Sequence, residues 1–148
     1  MHANPLVLSL TGKTDPQTGL DGKFSIYHCI AVGLIYGAAG QRQFEDAVAR
    51  DPVVAALRRK VTIQTDAGVP AEKCDLTIKL KDGRVLTRHI ENVISSQNNP
   101  LSDAQLEAKF TDLANGILPP ARIRQLMDLC WGVEKLPDVS VIAKTAAA

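Results

Sequence analysis

Gly22-Lys23-Phe24-Ser25-Ile26-Tyr27-His28-Cys29-Ile30-Ala31-Val32-Gly33-Leu34-Ile35-Tyr36-Gly37 decides how the rest of the chain is read. From Ile26 to Tyr36 only His28 bears a strongly polar side chain. The spacing predicts a helix apolar on every side, the kind a fold encloses. Ser25 suits the N-cap and Gly37 the C-terminal stop. Lys23, Ser25 and His28 gather at the first turn, and Ser25 and His28, three apart, share a face. A cation, a hydroxyl and an imidazole at the positive end of a helix suit an anion such as a carboxylate. Each also has a simpler reading: His28 as a core histidine bonded to a backbone carbonyl, Ser25 as a cap alone, Lys23 as a solvated lysine.

Upstream, Pro5-Leu6-Val7-Leu8-Ser9-Leu10 reads as a strand, and Thr11 to Gly22 as a loop rich in Gly, Thr, Asp and Pro. Downstream, a short helix is expected near Gln43 to Ala49. Asp51-Pro52, an N-cap followed by proline at the first helical position, starts a third helix ending in Arg58-Arg59-Lys60. The period then changes to two. Val61 to Thr65 and Asp75 to Lys81 alternate as half-buried strands, and Asp82-Gly83 signals a hairpin into a return strand, Arg84 to Ile90. A two-residue turn sets Lys81 opposite Arg84 and Leu76 opposite His89. Leu76, Ile78, Leu80, Val85 and Thr87 then share one face, and Lys79, Lys81, Arg84 and Arg88 the other.

Ser102-Asp103-Ala104-Gln105 is a capping box opening a helix with Leu106, Phe110, Leu113 and Ile117 at helical spacing. After Pro119-Pro120, a last helix carries Ile123, Leu126, Met127, Cys130 and Trp131. The fold class that follows is α+β in two layers: a largely antiparallel sheet with helices packed on one face, plus C-terminal helices. Residues 1–98 form the α+β part and 99–148 the helical segment. The apolar stripe of that segment exceeds what a small sheet can cover, which marks an interface.

Bulk properties exclude several functions. Seventeen basic against sixteen acidic residues give a net charge of +1, with no general pull toward nucleic acid or an anionic membrane. Aromatic residues are 4 %, too few for base-stacking platforms. The strip of Lys79, Lys81, Arg84 and Arg88 is therefore read as a solvated face. Cys29, Cys74 and Cys130 are widely spaced with no CxxC, which supports neither a zinc nor an iron–sulfur site and suits a reducing, cytoplasmic setting. The first residues lack the pattern of a signal peptide, and the apolar helix falls short of the roughly 20 residues that span a bilayer.

Nearly the whole chain resembles the MmgE/PrpD family. The resemblance rests on Leu10-Thr11-Gly12-Lys13, Thr18-Gly19-Leu20 and Gly22-Lys23-Phe24-Ser25, then Gln43-Phe44-Glu45-Asp46 and Asp51-Pro52. It continues through Asp82-Gly83-Arg84, Asn99-Pro100-Leu101-Ser102 and Leu106-Glu107-Ala108-Lys109-Phe110, in that order. Family members include 2-methylcitrate dehydratase of propionate metabolism, cis-aconitate decarboxylase and iminodisuccinate epimerase. The resemblance implies that this chain is only the lid domain and returning helices of a longer lyase or isomerase, inactive without the helical domain. It implies a small di- or tricarboxylate substrate, no metal or organic cofactor, and a dimer or other homo-oligomer. By the same resemblance His28 is a substrate contact or proton carrier, where members often carry Tyr or His. Lys23 is a carboxylate clamp and Ser25 a hydrogen-bond partner, both binding substrate. The rival function is a stand-alone module that self-associates through Ile123, Met127 and Trp131.

Overall fold

The apolar helix forms where its sequence places it. A computed structural model describes residues 1–147 and divides into two compact units, Met1–Pro100 and Leu101–Ala148, each taken here by itself. The first unit begins with a two-residue strand, β1 (His2–Ala3), followed by α1 (Leu6–Thr11) and α2 (Gly19–Lys23). Next come α3 (Ile26–Tyr36), a 3-10 turn over Gln41–Phe44, α4 (Asp46–Ala49) and α5 (Pro52–Arg58). Then follow β2 (Gln64–Thr65), β3 (Cys74–Lys79) and β4 (Val85–Ile90).

The run expected to be a strand, Pro5 to Leu10, is instead helix α1. Short apolar runs do not distinguish the two by periodicity, and the local chemistry decides. Pro5 sits at φ −54°, ψ −24°, already helical. Asn4 Oδ1 accepts the free N–H of Leu6 at 3.0 Å, as a cap does. Thr11 Oγ1 donates back to the Val7 carbonyl at 2.6 Å. The strand lies just before this helix, in His2–Ala3. The loop expected through Gly22 closes earlier, because Thr18 accepts from Asp21 N and opens α2.

In α3, Ser25 caps the first turn and Gly37, at φ 66°, supplies the left-handed residue that ends it. The helix is not enclosed along its whole length. Ala31 and Val32 are fully buried with Val54 of α5, and Val48 and Leu57 pack on them. Leu34, Ile35 and Tyr36 are 48 %, 38 % and 45 % exposed. α5 is the main neighbour, α1 and α2 also touch the helix, and the exposed residues are those of its last turn, 33–36.

The sheet runs β2-β1-β3-β4, with β1 parallel to β2 and antiparallel to β3, and β3 antiparallel to β4. The chain is α+β, and two of its three strand pairings are antiparallel. The hairpin register differs from the sequence reading by one residue: Leu76 faces Arg88, Ile78 faces Leu86 and Lys79 faces Val85. The loop has three residues, not two. Leu80 N donates to Arg84 O, and Gly83 takes φ 88°, which a side chain would resist. Asp82 holds it by accepting from Arg84 N at 3.0 Å and Arg84 Nε at 2.7 Å. A one-residue slip turns every β4 side chain over. Leu86 and Arg88 therefore join Leu76 and Ile78, while Val85, Thr87 and His89 join Asp75, Thr77 and Lys79. The expected basic strip does not form, since Lys79 and Arg88 lie on opposite faces.

The second unit comprises α6 (Asp103–Ala114), α7 (Pro120–Trp131), a 3-10 turn over Val133–Lys135 and α8 (Ser140–Ala146). The capping box is as read: Gln105 N donates to Ser102 Oγ, and Gln105 Oε1 accepts from Ser102 N. Ala114, Leu118, Ile123 and Leu126 form the core, with Phe110, Met127 and Ile142 packed against it. The tail that sequence left unread contributes α8, started by Asp138, whose carboxylate accepts from Ser140 N and Oγ. Among the described residues no helix is long and apolar enough to cross a membrane.

Candidate functional site

The polar residues at the start of α3 build a tight constellation inside the first unit. Ser25, at φ −129°, ψ 103°, lies outside the helical region, and its hydroxyl accepts the His28 N–H at 3.1 Å. Ser25 and His28 are both fully buried. His28 Nε2 stands 2.8 Å from the Gln43 carbonyl oxygen. A carbonyl only accepts, so Nε2 carries the proton and Nδ1 the lone pair. That lone pair faces Arg58 Nη1 at 3.3 Å. Arg58 Nη1 also donates to Ala49 O at 2.7 Å, and Arg58 Nη2 reaches Asp15 Oδ1 at 3.3 Å. The Phe44 ring lies tilted against the imidazole, centroids 5.4 Å apart at 58°.

This arrangement is the core-histidine alternative, with the carbonyl now named. Both imidazole nitrogens are occupied within this unit. His28 thus has no free nitrogen for a substrate in this geometry, and Ser25 uses one hydroxyl lone pair on the helix start. Arg58 was read from sequence as a cation at a helix end, yet it is 3 % exposed. A signal was present: Arg58 stands four after Val54 and one after Leu57, so it falls on the apolar side of α5. Asp15, its carboxylate partner, comes from the loop before α2, which no local pattern links to α5.

Lys23 is exposed at the end of α2, its Nζ donating to Gln41 Oε1 at 3.2 Å. A neutral amide leaves the ammonium charge uncompensated. Lys13 pairs with Asp21 at 2.5 Å and holds that carboxyl below its ordinary range. Burial pushes the Cys29 and Cys74 thiols up, with the Asp75 charge adding to the second, so neither is poised as a thiolate. Among the described residues no group of three or more His, Cys, Asp or Glu side chains could hold a metal ion.

Two grooves stand apart from this constellation. One, of about 330 Å³ in the first unit, is lined chiefly by Ala3, Leu6, Val7, Leu10, Ile26 and Cys74. The other, of about 350 Å³ in the second unit, runs between α6 and α7 along Leu106, Phe110, Leu113, Met127, Cys130 and Trp131. Both are mainly apolar, with Lys73 at the lining of the first and Lys109 and Glu107 at that of the second. Trp131 Nε1 is turned to Glu107 Oε1 at 2.8 Å, leaving the indole 52 % exposed.

Residues 1–133 match the family model described as the MmgE/PrpD C-terminal domain. Over 133 residues the sequence is 24 % identical to the cis-aconitate decarboxylase of Mus musculus, covering 87 % of this chain and 27 % of that protein. The cis-aconitate decarboxylase of Aspergillus terreus is 26 % identical over 133 residues, covering 84 % of this chain and 27 % of its own length. That of Homo sapiens is 24 % identical over 131 residues, with 86 % and 27 % covered. The chain thus spans about a quarter of the length of these relatives.

Proposed function

Because the chain belongs to the MmgE/PrpD family, of which it carries the C-terminal domain, we propose that it supplies the lid of a lyase or isomerase for small di- or tricarboxylates. The reaction we propose is cofactor-independent, and the isolated chain is inactive. The observation that carries this reading is the family match across residues 1–133. The named activity of the relatives makes cis-aconitate the first substrate to test, with 2-methylcitrate beside it. Removing or adding a proton next to a carboxylate needs an acid–base group and cations that hold the carboxylates. Of the residues singled out in this chain, Lys23 is the group free to act as such a cation, and the acid–base groups come from the remainder of a longer protein. Ser25 and His28 act by holding the junction of α2 and α3, beside which Lys23 ends α2. Direct contact of His28 with substrate would require its ring to leave Gln43 and Arg58.

The test is a chimera in which residues 1–133 replace the matching segment of the Aspergillus terreus cis-aconitate decarboxylase. Release of carbon dioxide from cis-aconitate, or dehydration of 2-methylcitrate, supports the reading. A folded chimera inert toward both counts against it, and turnover by the isolated chain removes the need for a second domain. The open groove between α6 and α7 favours a second reading, self-association of the chain without catalysis. Ile123 drops out of the proposed contact, being 4 % exposed within the core of its own unit, while Met127 and Trp131 line the groove. Light scattering that gives a monomer across the micromolar range refutes that reading.

A further inference from the structure

The sheet carries a second constellation on the face that β4 turns to solvent. His2, Asp75 and His89 are directly paired across β1, β3 and β4, so they form one row. His89 Nδ1 lies 2.7 Å from Asp75 Oδ1, and His89 Nε2 lies 3.0 Å from Glu91 Oε2. Carboxylate oxygens only accept, so both ring nitrogens must carry protons, and the geometry is that of an imidazolium. The other ionisable groups around it are Lys73, which bonds Glu91 from ahead of β3, and His2, 3.9 Å from Asp75 and 3.8 Å from Asp66.

Glu91 begins the segment through which the chain leaves this unit. That segment has little apolar anchorage: Val93 is 43 % and Ile94 69 % exposed. Ser95 takes φ 73°, and Ser96 Oγ is buried with no partner. Polar contacts hold it, namely Glu91 to His89 and Lys73, and Asn98 Nδ2 to Glu72 Oε2 at 3.4 Å.

We propose that His89 is a proton-operated clasp: as an imidazolium it ties Glu91 to Asp75, and on giving one proton to solvent it leaves Glu91 to Lys73 alone and loosens residues 91–100. A neutral ring keeps one N–H and turns a lone pair toward the other carboxylate. The bond kept is the shorter one, to Asp75, because Glu91 retains Lys73 as a partner. The two hydrogen-bonded carboxylates also raise the His89 pKa above its ordinary 6.5, Glu91 contributing first and Asp75 second. The sign follows. A raised folded value means that the contact is fully present below pH 6.5 and is lost as pH rises through the folded value.

The experiment is a pH titration of the isotopically labelled chain by NMR. It reads the His89 ring nitrogens together with protection of the Ser95, Ser96 and Asn99 amides, corrected for intrinsic exchange. These three amides donate within the segment, to Asn99 O, Val93 O and Ser96 O. The result expected is a His89 midpoint above 6.5, with the three amides losing protection through the same midpoint. His89→Gln should abolish that step, and Glu91→Gln should lower the midpoint and shrink it. A His89 midpoint at or below the ordinary value overturns the proposal. So does a step that persists in His89→Gln, or protection that does not change with pH.

Discussion

Replacing His28 by alanine should unfold the first unit before it affects any chemistry. The ring is fully buried, so its removal opens a cavity beside Phe44 and Gly22. The Gln43 carbonyl loses its 2.8 Å donor. Arg58 loses less, because Nη1 keeps Ala49 O at 2.7 Å. A buried orphaned acceptor costs about 1–3 kcal/mol, and a large-to-small core change commonly costs about 2–5 kcal/mol. The two overlap, since a cavity that admits water re-satisfies the carbonyl, so about 3–5 kcal/mol is the combined loss expected. Against a total of about 5–15 kcal/mol for a small domain, that is a large fraction. The single tryptophan, Trp131, lies in the second unit, so urea unfolding of the first is followed by other probes. Far-UV circular dichroism, with amide exchange of α3 and α5, reads it directly. His28→Phe separates the contributions: it fills most of the volume, loses both polar contacts, and should cost about 1–3 kcal/mol. If His28→Ala unfolds within about 0.5 kcal/mol of the parent, the range of an ordinary surface substitution, the ring is not where this argument puts it.

Three further outcomes are expected. Lys23→Ala should leave urea stability within about 0.5 kcal/mol, since its polar partner is a neutral amide, yet raise the KM for cis-aconitate about tenfold or more in the chimera; an unchanged KM removes Lys23 from the carboxylate site. Leu126→Ala, in the core of the second unit, should cost about 2–5 kcal/mol by loss of helical signal, whereas Trp131→Ala should chiefly change the binding of an apolar dye to the groove; equal destabilisation by both would contradict the packing described. Asp21 is held below its ordinary pKa by its bond to Lys13, so that contact's contribution is present above pH 3.8 and lost as pH falls through the folded value. Lys13→Ala should accordingly move the Asp21 carboxyl midpoint upward in a carbon-detected NMR titration, and an unmoved midpoint would refute the pairing.

Local signals account for what was readable in advance. Ser25 and Gly37 bracket α3, Asp51-Pro52 starts α5, and Ser102 with Gln105 starts α6, each through groups within four residues of the helix end. The same locality explains the failures. Whether Pro5 to Leu10 became helix or strand turned on Asn4, whose other amide atom is fixed by the distant Val69 carbonyl at 2.7 Å. The hairpin turn was visible in Asp82-Gly83, but its length was not, and one residue reversed the faces of β4.

What the sequence alone determined is the α+β class, the run of elements from α3 to α7, the caps of α3, α5 and α6, and the family, because periodicity, capping chemistry and ordered motifs are written along the chain. Only the tertiary structure decided what surrounds the polar start of α3. An imidazole's role depends on what faces its two nitrogens, and those neighbours, Gln43 O and Arg58, lie 15 and 30 residues away. Enclosure by groups so far along the chain follows from packing, which no local spacing records.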